Sequence, residues 1–392
     1  MRRPRSWPDC VCTSDFLAFS QPRVPRAERR FMRAGAAQIR PFTTGSAIVN
    51  ATSRLTLTTA LTGFVLAASA ASAQDFSGQT LVVGTWGGDI ERLLKEHAAA
   101  PLEAATGAKV EFLLGGSGDR MAKIYAERQN PTMDVTFQNI YEAPQLLADD
   151  LVVAPDPELD MYKNVWEGMN DGCYAMSLVG LGIAYSKDLV SEPPEWADMW
   201  NPDYKGMIAM APYPSSEGDG LLGVAARLEG ADEHDADVAF AKVAELGEPA
   251  LTYTSLDEVF ALMEAGEVAM APMISGYVLA GLKEFPGIGF SFPSDPGPVL
   301  IRDMVCQVKD SPNPELAQMF IEYALSAETQ KAYAEEIYFG PTNSTVELSE
   351  SAAADTINSP EEVDSLLALD WPWLIEQRAD WTERWNKDIM GQ

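Results

Sequence analysis

The stretch 54–73 has the pattern of a secretory signal peptide, so we do not expect the first part of the chain to belong to the folded protein. A single Arg precedes an apolar run rich in Leu, Ala and Thr, and the run ends in Ala71-Ser72-Ala73. A basic start, an apolar middle and an A-x-A site are typical of such a peptide. A membrane span needs about 20 predominantly apolar residues, whereas five Thr or Ser interrupt this run between Leu55 and Ser69. We therefore predict export, with cleavage after Ala73.

The residues ahead of this stretch do not fit a signal peptide, which should begin the chain. The first 53 residues contain nine Arg and no Lys. We interpret residues 1–50 as an extension from a mis-set translation start, with the real start at Met32 or near Val49. An organelle-targeting peptide is the alternative. Residues 1–73 are therefore left out of the fold prediction.

The composition of residues 74–392 limits the partners of the exported protein. These 319 residues are long for one core and indicate two lobes. Without the ten Arg and three acidic residues of 1–73, the formal net charge is about −37, against −30 for the whole chain. Nucleic acid and anionic membranes would be repelled, and a cationic or zwitterionic solute attracted. An acidic solvated surface explains many of these charges equally well.

Three residue types narrow the predicted properties of the exported protein further. They are the residue after the predicted cut, the cysteines and the histidines. Gln74 is not Cys, so we expect no lipid anchor but a freely soluble protein in the periplasm of a Gram-negative bacterium. Two Cys remain, Cys173 and Cys306, and a pair in an exported protein indicates one disulfide. Two buried thiols are the alternative. With only His97 and His234, we predict no metal site, no cofactor and no Ser-His-Asp relay.

Strand and helix patterns alternate along the exported chain, which predicts an α/β fold. Three strand–helix pairs fill residues 81–148, and a nearly continuous apolar run at 174–185 reads as a buried strand that crosses between lobes. The predicted organisation is a first lobe at 74–185, a second lobe at 186–298, a return to the first lobe at 299–345, and C-terminal helices packing on the lobes at 346–392. Each lobe is expected to be a mainly parallel sheet flanked by helices.

Polar, Gly-rich turns follow several of these predicted strands. In an open α/β sheet, ligands bind beyond the carboxyl ends of the strands, where small residues let a ligand approach the backbone. Tight turns alone would also explain the glycines, but several such turns together favour a cleft. The candidate ligand-binding residues are Trp86, Gly87, Ser117, Asn139 and Tyr141 in the first lobe, and Tyr213, Ser215, Ser275 and Tyr277 in the second.

Two adjacent charged residues are further candidates for ligand binding. Arg302 and Asp303 enter the strand that carries Cys306. At the edge of a cleft, Asp303 would face an amine and Arg302 a carboxylate, although a structural ion pair is the alternative.

The stretch 218–223 formally matches G-x-G-x-x-G. A dinucleotide site needs the first Gly directly after a strand, and about six loop residues intervene here.

Short motifs spread over the exported chain resemble one known family. They are the Trp86-Gly87-Gly88 turn, the segment 101–110, Asp134-Val135, the segments 180–185, 266–271, 313–317 and 339–343, and a Trp-rich C-terminal helix. In this order they resemble extracellular solute-binding proteins of the polyamine (spermidine/putrescine)-type branch, the periplasmic partners of ABC importers. The resemblance implies a two-lobed periplasmic-binding-protein fold of type II, with crossing strands that join the lobes.

The resemblance also implies roles for single residues. Trp86 matches a stacking aromatic, Tyr141 falls near another contact position, and Asp303 matches the acid that meets an amine. The sequence departs from the pattern at Ile301, where an aromatic is expected, and at 177–179, where the pattern has an aromatic-rich strand. A related branch binds ferric iron through adjacent Tyr residues, and no Tyr-Tyr pair occurs here.

We therefore expect a monomeric binding protein, not an enzyme, that captures a small polar amine or amino-acid-like solute between its lobes. Hinge closure would hold the solute, because both lobes contact it, and an inner-membrane ABC permease would receive it. A ferric-iron or anion-binding protein of the same fold is the alternative within this class. A secreted hydrolase is the alternative from another class, and a sensor-coupled binding protein is a third.

Overall fold

The computed structural model describes residues 75–391, so the predicted signal peptide and the cut after Ala73 lie outside the described residues. The strands are β1 (Thr80–Thr85), β2 (Lys109–Leu114), β3 (Val135–Asn139), β4 (Tyr174–Ser186), β5 (Ala209–Met210), β6 (Leu251–Thr252), β7 (Met270–Ile274), β8 (Ile288–Ser291), β9 (Val299–Gln307) and β10 (Gly340–Pro341).

Helices follow most of these strands, as the alternation predicts. They are α1 (Asp89–Leu94), α2 (Ala100–Thr106), α3 (Ser117–Glu127), α4 (Glu142–Ala148), α5 (Asp160–Lys163), α6 (Ser216–Leu228), α7 (Ala236–Ala244), α8 (Leu256–Glu264), α9 (Ser275–Gly281), α10 (Pro314–Ala324), α11 (Ala327–Ile337), α12 (Glu350–Asp355), α13 (Pro360–Asp364) and α14 (Trp371–Asp388). A π-helical segment, Lys95–Ala99, joins α1 to α2. None of the described helices is long and apolar enough to cross a membrane.

The long strand β4 connects two parts of one curled sheet. All 13 of its residues are buried, as expected for a strand covered on both faces. Its first half pairs with β9, from Tyr174 opposite Val305 to Leu181 opposite Val299. Its second half pairs with β7 and β8. The apolar run at 174–185 thus forms a strand that links the two parts, as its composition predicts.

The sheet is mixed rather than mainly parallel. Parallel pairing holds where helices connect the strands, between β1 and both β2 and β3, and between β5 and β6. The strands that cross pair antiparallel: β4 with β7, β8, β9 and β10, and β9 with β3. The two long strands run in opposite directions across the molecule, so antiparallel pairing at the centre of the sheet follows from the connectivity.

Helix α6 begins earlier than the sequence suggests. The sequence places residues 212–220 in a loop, whereas the helix starts at Ser216, with the Ser215 side chain accepting a hydrogen bond from the Gly218 N–H at 3.1 Å. The glycines allow close packing, since a Cβ on Gly220 would lie 2.4 Å from Leu181 Cδ2. The G-x-G-x-x-G stretch therefore lies within a helix, and not in a phosphate-binding turn after a strand.

The two cysteines of the exported chain form the predicted disulfide. Cys173 directly precedes β4 and Cys306 lies in β9, and their Cα atoms are 5.1 Å apart. Both residues are fully buried. The bond joins the two crossing strands at the end where β9 also pairs with β3, and it closes a loop with a sequence separation of 133.

Asp134 has a structural role that explains the Asp134-Val135 motif. One carboxylate oxygen accepts a hydrogen bond from the Val82 N–H at 2.8 Å, and the other accepts one from the Asn313 N–H at 2.9 Å. Asn313 occupies the N-cap position of α10, but its side chain donates to the Thr80 carbonyl oxygen at 2.9 Å instead of capping the helix. Asp134 therefore ties β1, β3 and the start of α10 together.

Candidate functional site

A cavity of about 200 Å³ lies at the ends of several strands, where predicted site residues from distant parts of the chain meet. This volume is small beside the ~300–1,000 Å³ of pockets for drug-sized ligands, so it suits a solute with few non-hydrogen atoms. Its lining residues are Trp86, Ile90, Asn139, Tyr141, Val179, Pro214, Ser215, Ser216, Glu217, Ile274, Tyr277, Ile301, Asp303 and Phe339. Residues from all three segments, 75–185, 186–298 and 299–345, line this cavity.

The structure brings some of the predicted site residues to this cavity and places others behind it. Those that line the cavity are Trp86, Asn139, Tyr141, Ser215, Tyr277 and Asp303. Those outside its lining are Gly87, Ser117, Tyr213, Ser275 and Arg302. Ser117 supports Asn139, whose side-chain amide donates to the Ser117 Oγ at 2.8 Å and to the Tyr141 hydroxyl at 2.9 Å. Ser275 Oγ accepts from the Gly180 N–H at 3.4 Å, and Gly87 is exposed.

Arg302 differs most from its predicted role. Side chains alternate along a strand, so Arg302 and Asp303 leave β9 on opposite faces. The Arg302 side chain is buried and donates to the Met169 carbonyl oxygen at 2.6 Å and to the Asp171 carboxylate at 2.8 Å. Arg302 therefore forms a structural ion pair and does not contact a ligand carboxylate. Its partner is Asp171, not the neighbouring Asp303.

Asp303 faces the cavity from the centre of β9. Ser177 of β4 donates a hydrogen bond to its carboxylate at 3.2 Å. Burial raises the pKa of Asp303 to about 7, although the hydrogen bond from Ser177 and the positive charge of Arg120 act in the opposite direction. No Lys, Arg or His nitrogen among the described residues lies within 4.0 Å of this carboxylate in an ion pair. Asp303 is thus a carboxylate that a cation could neutralise.

Glu217 also lines the cavity, and the sequence analysis did not single it out. It lies in the first turn of α6, and the Ser216 hydroxyl donates to its carboxylate at 3.2 Å. Burial raises its pKa, and the nearby Asp219 adds to the rise. The Ser215 cap was the signal available in the sequence, because starting the helix at Ser216 places Glu217 beside Ser215 at the cleft. Because the sequence analysis placed the start of this helix too late, it assigned Glu217 to a loop.

Trp86 lies over a buried guanidinium. The Arg120 Cζ is 4.6 Å from the centre of the Trp86 ring, and the side chain donates to the Phe137 carbonyl oxygen at 2.6 and 3.1 Å and to the Gly115 carbonyl oxygen. Burial lowers the pKa of Arg120 to about 10. All its nitrogens are engaged by the protein, so Arg120 orients the indole rather than offering a donor to a solute.

A second guanidinium, which is largely but not fully buried, lies against Tyr141. The Arg378 Cζ is 3.5 Å from the centre of the Tyr141 ring, and its Nε donates to the Asp219 carboxylate at 2.9 Å. The Tyr213 hydroxyl donates to the same carboxylate at 2.8 Å. Tyr213 therefore supports the wall of the cavity through Asp219, and the Arg378–Asp219 pair is neutralised within the protein.

Other features are weaker candidates for a site. A larger cavity of about 530 Å³ lies between Phe292 and residues 354–366, but none of the predicted site residues lines it. Asp232, Glu233 and His234 are close enough to hold a metal ion. However, the two His234 ring nitrogens already face the carboxylates of Asp232 at 3.2 Å and Asp370 at 3.4 Å, and none of these residues lines the cavity.

Comparisons with known proteins agree on one class. The family model for bacterial extracellular solute-binding proteins matches residues 97–360. A γ-aminobutyric acid-binding protein of Pseudomonas aeruginosa is 25% identical over 342 residues, which cover 81% of this chain and 92% of that protein. The crystal structure of an ABC transporter protein from Clostridium perfringens superposes with a TM-score of 0.67 at 26% identity, over 79% of this chain and 99% of that one.

The fold also matches a binding protein of the branch named from the motifs. The spermidine/putrescine ABC transporter substrate-binding protein of Streptococcus pneumoniae has a TM-score of 0.63 at 21% identity, over 79% of this chain and 99% of that one. At this identity the match supports the two-lobed fold alone. The family match covers more than half of the chain and includes β2 to β9. The chain therefore belongs to the family of bacterial extracellular solute-binding proteins, and it is the solute-binding component of an ABC transporter rather than an enzyme.

Proposed function

We propose that the solute is a small organic amine, held in the 200 Å³ cavity with its ammonium group on Asp303. One observation carries the proposal: both charged side chains of the cavity lining, Asp303 and Glu217, are acidic, and no Lys, Arg or His of the described chain lines it. Both side chains are half-buried, and carboxylates withdrawn from water without a cationic partner are costly. A bound ammonium would supply that partner.

The neighbouring guanidiniums support a cation as ligand. Arg120 and Arg378 lie behind the aromatic rings, and both are already engaged by protein oxygen atoms. A solute carboxylate would therefore find no free side-chain cation in the cavity. Aromatic faces attract cations through their quadrupoles, and the rings of Trp86, Tyr277 and Phe339 line the same space. The lining suits a positive charge on a short apolar stem.

The lobe boundaries belong to the same proposal. We assign the first lobe to 74–185 with a return at 299–345, the second lobe to 186–298, and the C-terminal helices to 346–392. Strand β4 pairs with β9 up to Leu181 and with β7 and β8 from Leu181 to Ser186, which supports a passage of this strand from one lobe to the other just before the proposed division. With Asp303 in one lobe and Glu217 in the other, a solute that contacts both favours closure. Delivery as a monomer in the periplasm, after cleavage behind Ala73, completes this proposal.

An ω-amino acid is the second candidate solute. The observation that favours it is the γ-aminobutyric acid-binding protein, which is 25% identical over most of both chains. Such a solute shares the ammonium group with an amine but adds a carboxylate. At the start of α6, the Gly218 and Asp219 N–H groups already donate to the hydroxyl and the carbonyl oxygen of Ser215. The Ser216 N–H, in a residue that lines the cavity, is therefore the donor proposed for the carboxylate. Asp303 would have the same role with either solute.

Thermal unfolding with matched small molecules tests the proposal. Butylamine, putrescine and γ-aminobutyric acid all carry an ammonium group on a short chain, whereas butanol and butyrate lack it. A ligand at 100 times its Kd stabilises the folded state by about 2.7 kcal/mol. We expect stabilisation by the amines and none by butanol or butyrate. Stabilisation by γ-aminobutyric acid well above that by both amines would favour the second candidate. Equal shifts with butyrate, or no shift with any ammonium compound, would contradict both.

The raised pKa of Asp303 predicts the pH dependence of binding. The ammonium pairs with the ionised carboxylate, and an alkyl amine stays protonated because its pKa is near ~10. Affinity should therefore fall as the pH drops through about 7, by roughly tenfold per unit well below that value. The ligand-free protein should change in the opposite direction: a raised carboxyl pKa makes the folded state bind more protons, so the free energy of unfolding decreases as the pH rises towards 7.

Calorimetric titration with butylamine at about pH 5, 6, 7 and 8 measures this dependence, and proton release on binding below pH 7 is expected. The Asp303→Asn variant is the control, because its residual affinity should lose the pH step. Affinity that stays constant across this range in the unaltered protein is the result that would contradict the assignment.

A further inference from the structure

The C-terminal helix presents one stripe of side chains to the back of the cavity. Trp371, Arg378 and Trp385 are spaced seven residues apart in α14, which places them on the same face. The Trp371 ring centre is 5.9 Å from that of Tyr141, and Trp385 stacks on Tyr213 at 5.0 Å. Arg378 lies between these two ring contacts and on Tyr141 itself.

Arg378 joins two parts of the chain that would belong to different lobes. Tyr141 belongs to the segment 75–185, and the guanidinium lies on its ring at 3.5 Å. Asp219 belongs to the segment 186–298, is fully buried, and accepts two hydrogen bonds from Arg378. One planar side chain therefore contacts an aromatic ring of one part and a carboxylate of the other. The two neighbouring tryptophans are divided in the same way: Trp371 contacts Tyr141 of the first part, and Trp385 contacts Tyr213 of the second.

The C-terminal half of α14 packs on the segment 186–298. The Trp381 ring packs edge-on against Phe240 at 5.5 Å. Arg384 lies over Phe240 at 4.4 Å and pairs with Asp237 at 2.7 Å. This end of the helix thus packs on the second part of the molecule, while the helix also contacts α4 of the first part. Trp371 and Arg378 are the side chains described above that contact Tyr141.

We propose that α14 is a latch for the closed cleft, in which Arg378 holds Tyr141 of one lobe against Asp219 of the other. This inference rests on the proposed function, since it assumes that the lobes close around a solute. Arg378 does not line the cavity, so it is a positioning residue. It raises the affinity for the solute by stabilising the arrangement in which the walls that carry Tyr141 and Glu217 lie together.

Arginine chemistry explains why this residue suits the task. A guanidinium can stack on an aromatic face while its edge donates two hydrogen bonds to a carboxylate. A lysine ammonium is a point charge without a flat face, so Arg378→Lys should keep the charge of the pair and lose the stacking on Tyr141. The latch therefore requires the shape of the side chain as well as its charge.

The test separates the latch from simple charge compensation. Arg378→Gln alone leaves Asp219 buried without its cation and is expected to destabilise the fold. The double variant Arg378→Gln/Asp219→Asn replaces the ion pair by two neutral amides of similar shape and removes that cost. Arg384→Gln is the matched control, because Arg384 also contacts a ring and a carboxylate, but both lie in the segment 186–298.

Two quantities are measured for each variant: the radius of gyration of the ligand-free protein by small-angle X-ray scattering, and the affinity for butylamine and putrescine by calorimetry. For the double variant we expect a larger radius of gyration than for the unaltered protein. We also expect about tenfold weaker binding. Arg378→Lys should bind with intermediate affinity, and Arg384→Gln should match the unaltered protein in both quantities.

An unchanged radius of gyration in the double variant would overturn the latch, whatever the affinity. Full recovery of affinity in the double variant would overturn it too, because Arg378 would then only compensate the charge of Asp219. If the unaltered protein binds neither probe, the proposed function fails, while the scattering comparison still decides whether Arg378 holds the two lobes together.

Discussion

Replacing Asp303 by Asn should weaken the binding of butylamine and putrescine by about 30-fold to several thousand-fold. Removing one partner of a desolvated charge pair costs ~2–5 kcal/mol, and each 1.4 kcal/mol is a factor of about ten in Kd. Asn keeps the shape and the hydrogen bond with Ser177, so the substitution removes the charge alone. Calorimetric titration at about pH 8, where the carboxylate is ionised, measures the change.

Stability should move in the opposite direction, which separates this effect from misfolding. Burial raises the pKa of Asp303, so the ionised carboxylate destabilises the ligand-free protein at pH 8. We therefore expect Asp303→Asn to unfold at a higher denaturant concentration than the unaltered protein. Asp150→Asn is the control, because Asp150 is a carboxylate with a side chain 79% exposed and paired with Lys309, and it should change neither quantity. Unchanged affinity in Asp303→Asn would show that the ammonium does not lie at this residue.

Removing the disulfide should lower the free energy of unfolding by about 4 kcal/mol. The bond between Cys173 and Cys306 spans 133 residues, and in the chain-entropy model a loop of this length contributes ~4–5 kcal/mol by restricting the unfolded chain. Both side chains are fully buried, so alanine is the suitable replacement. Denaturant unfolding of Cys173→Ala/Cys306→Ala, compared with the unaltered protein, measures the loss.

A reducing agent provides the control for this prediction. It should destabilise the unaltered protein towards the level of the double variant and leave the variant itself unchanged. Affinity for the amine, measured well below the unfolding transition, should remain within a few-fold, because neither cysteine lines the cavity. A loss of less than about 1 kcal/mol would contradict the expectation that the disulfide stabilises the fold by restricting the unfolded chain.

Much of the fold could be predicted because its signals are local. The run at 174–185 is apolar on both faces, which is possible only for a strand covered on both sides. Strand β2 and the N-cap of α8 at Ser255 are local features of the same kind, since each depends on a few adjacent residues. The disulfide followed from counting cysteines in an exported chain. The lobe boundaries remain a prediction, supported by the pairing of β4.

The site was predictable only in part, because side-chain direction depends on register. Trp86 and Tyr141 line the cavity as expected for residues at strand ends, and Asp303 lines it from the centre of β9. Arg302, adjacent to Asp303, faces the other way towards Asp171. The sequence alone did not show which of the two would face inwards. Glu217 was missed for a related reason, since it depends on the starting residue of α6.

Long-range partners could not be read from the sequence at all. The tryptophans of the C-terminal helix predicted that this helix docks on the lobes, and Trp381 and Trp385 pack against Phe240 and Tyr213. However, the contact of Arg378 with both Tyr141 and Asp219 joins residues separated by more than 150 positions from the helix. No local pattern carries that information, because such contacts follow from the packing of the whole chain.

A crystal structure with bound butylamine or putrescine tests the central claim most directly. The account predicts an ammonium nitrogen at roughly 2.7–3.2 Å from a carboxylate oxygen of Asp303, with residues 75–185 and 186–298 on opposite sides of the ligand. An amine in the larger cavity beside Phe292, or one in the smaller cavity with Asp303 out of contact, would contradict it.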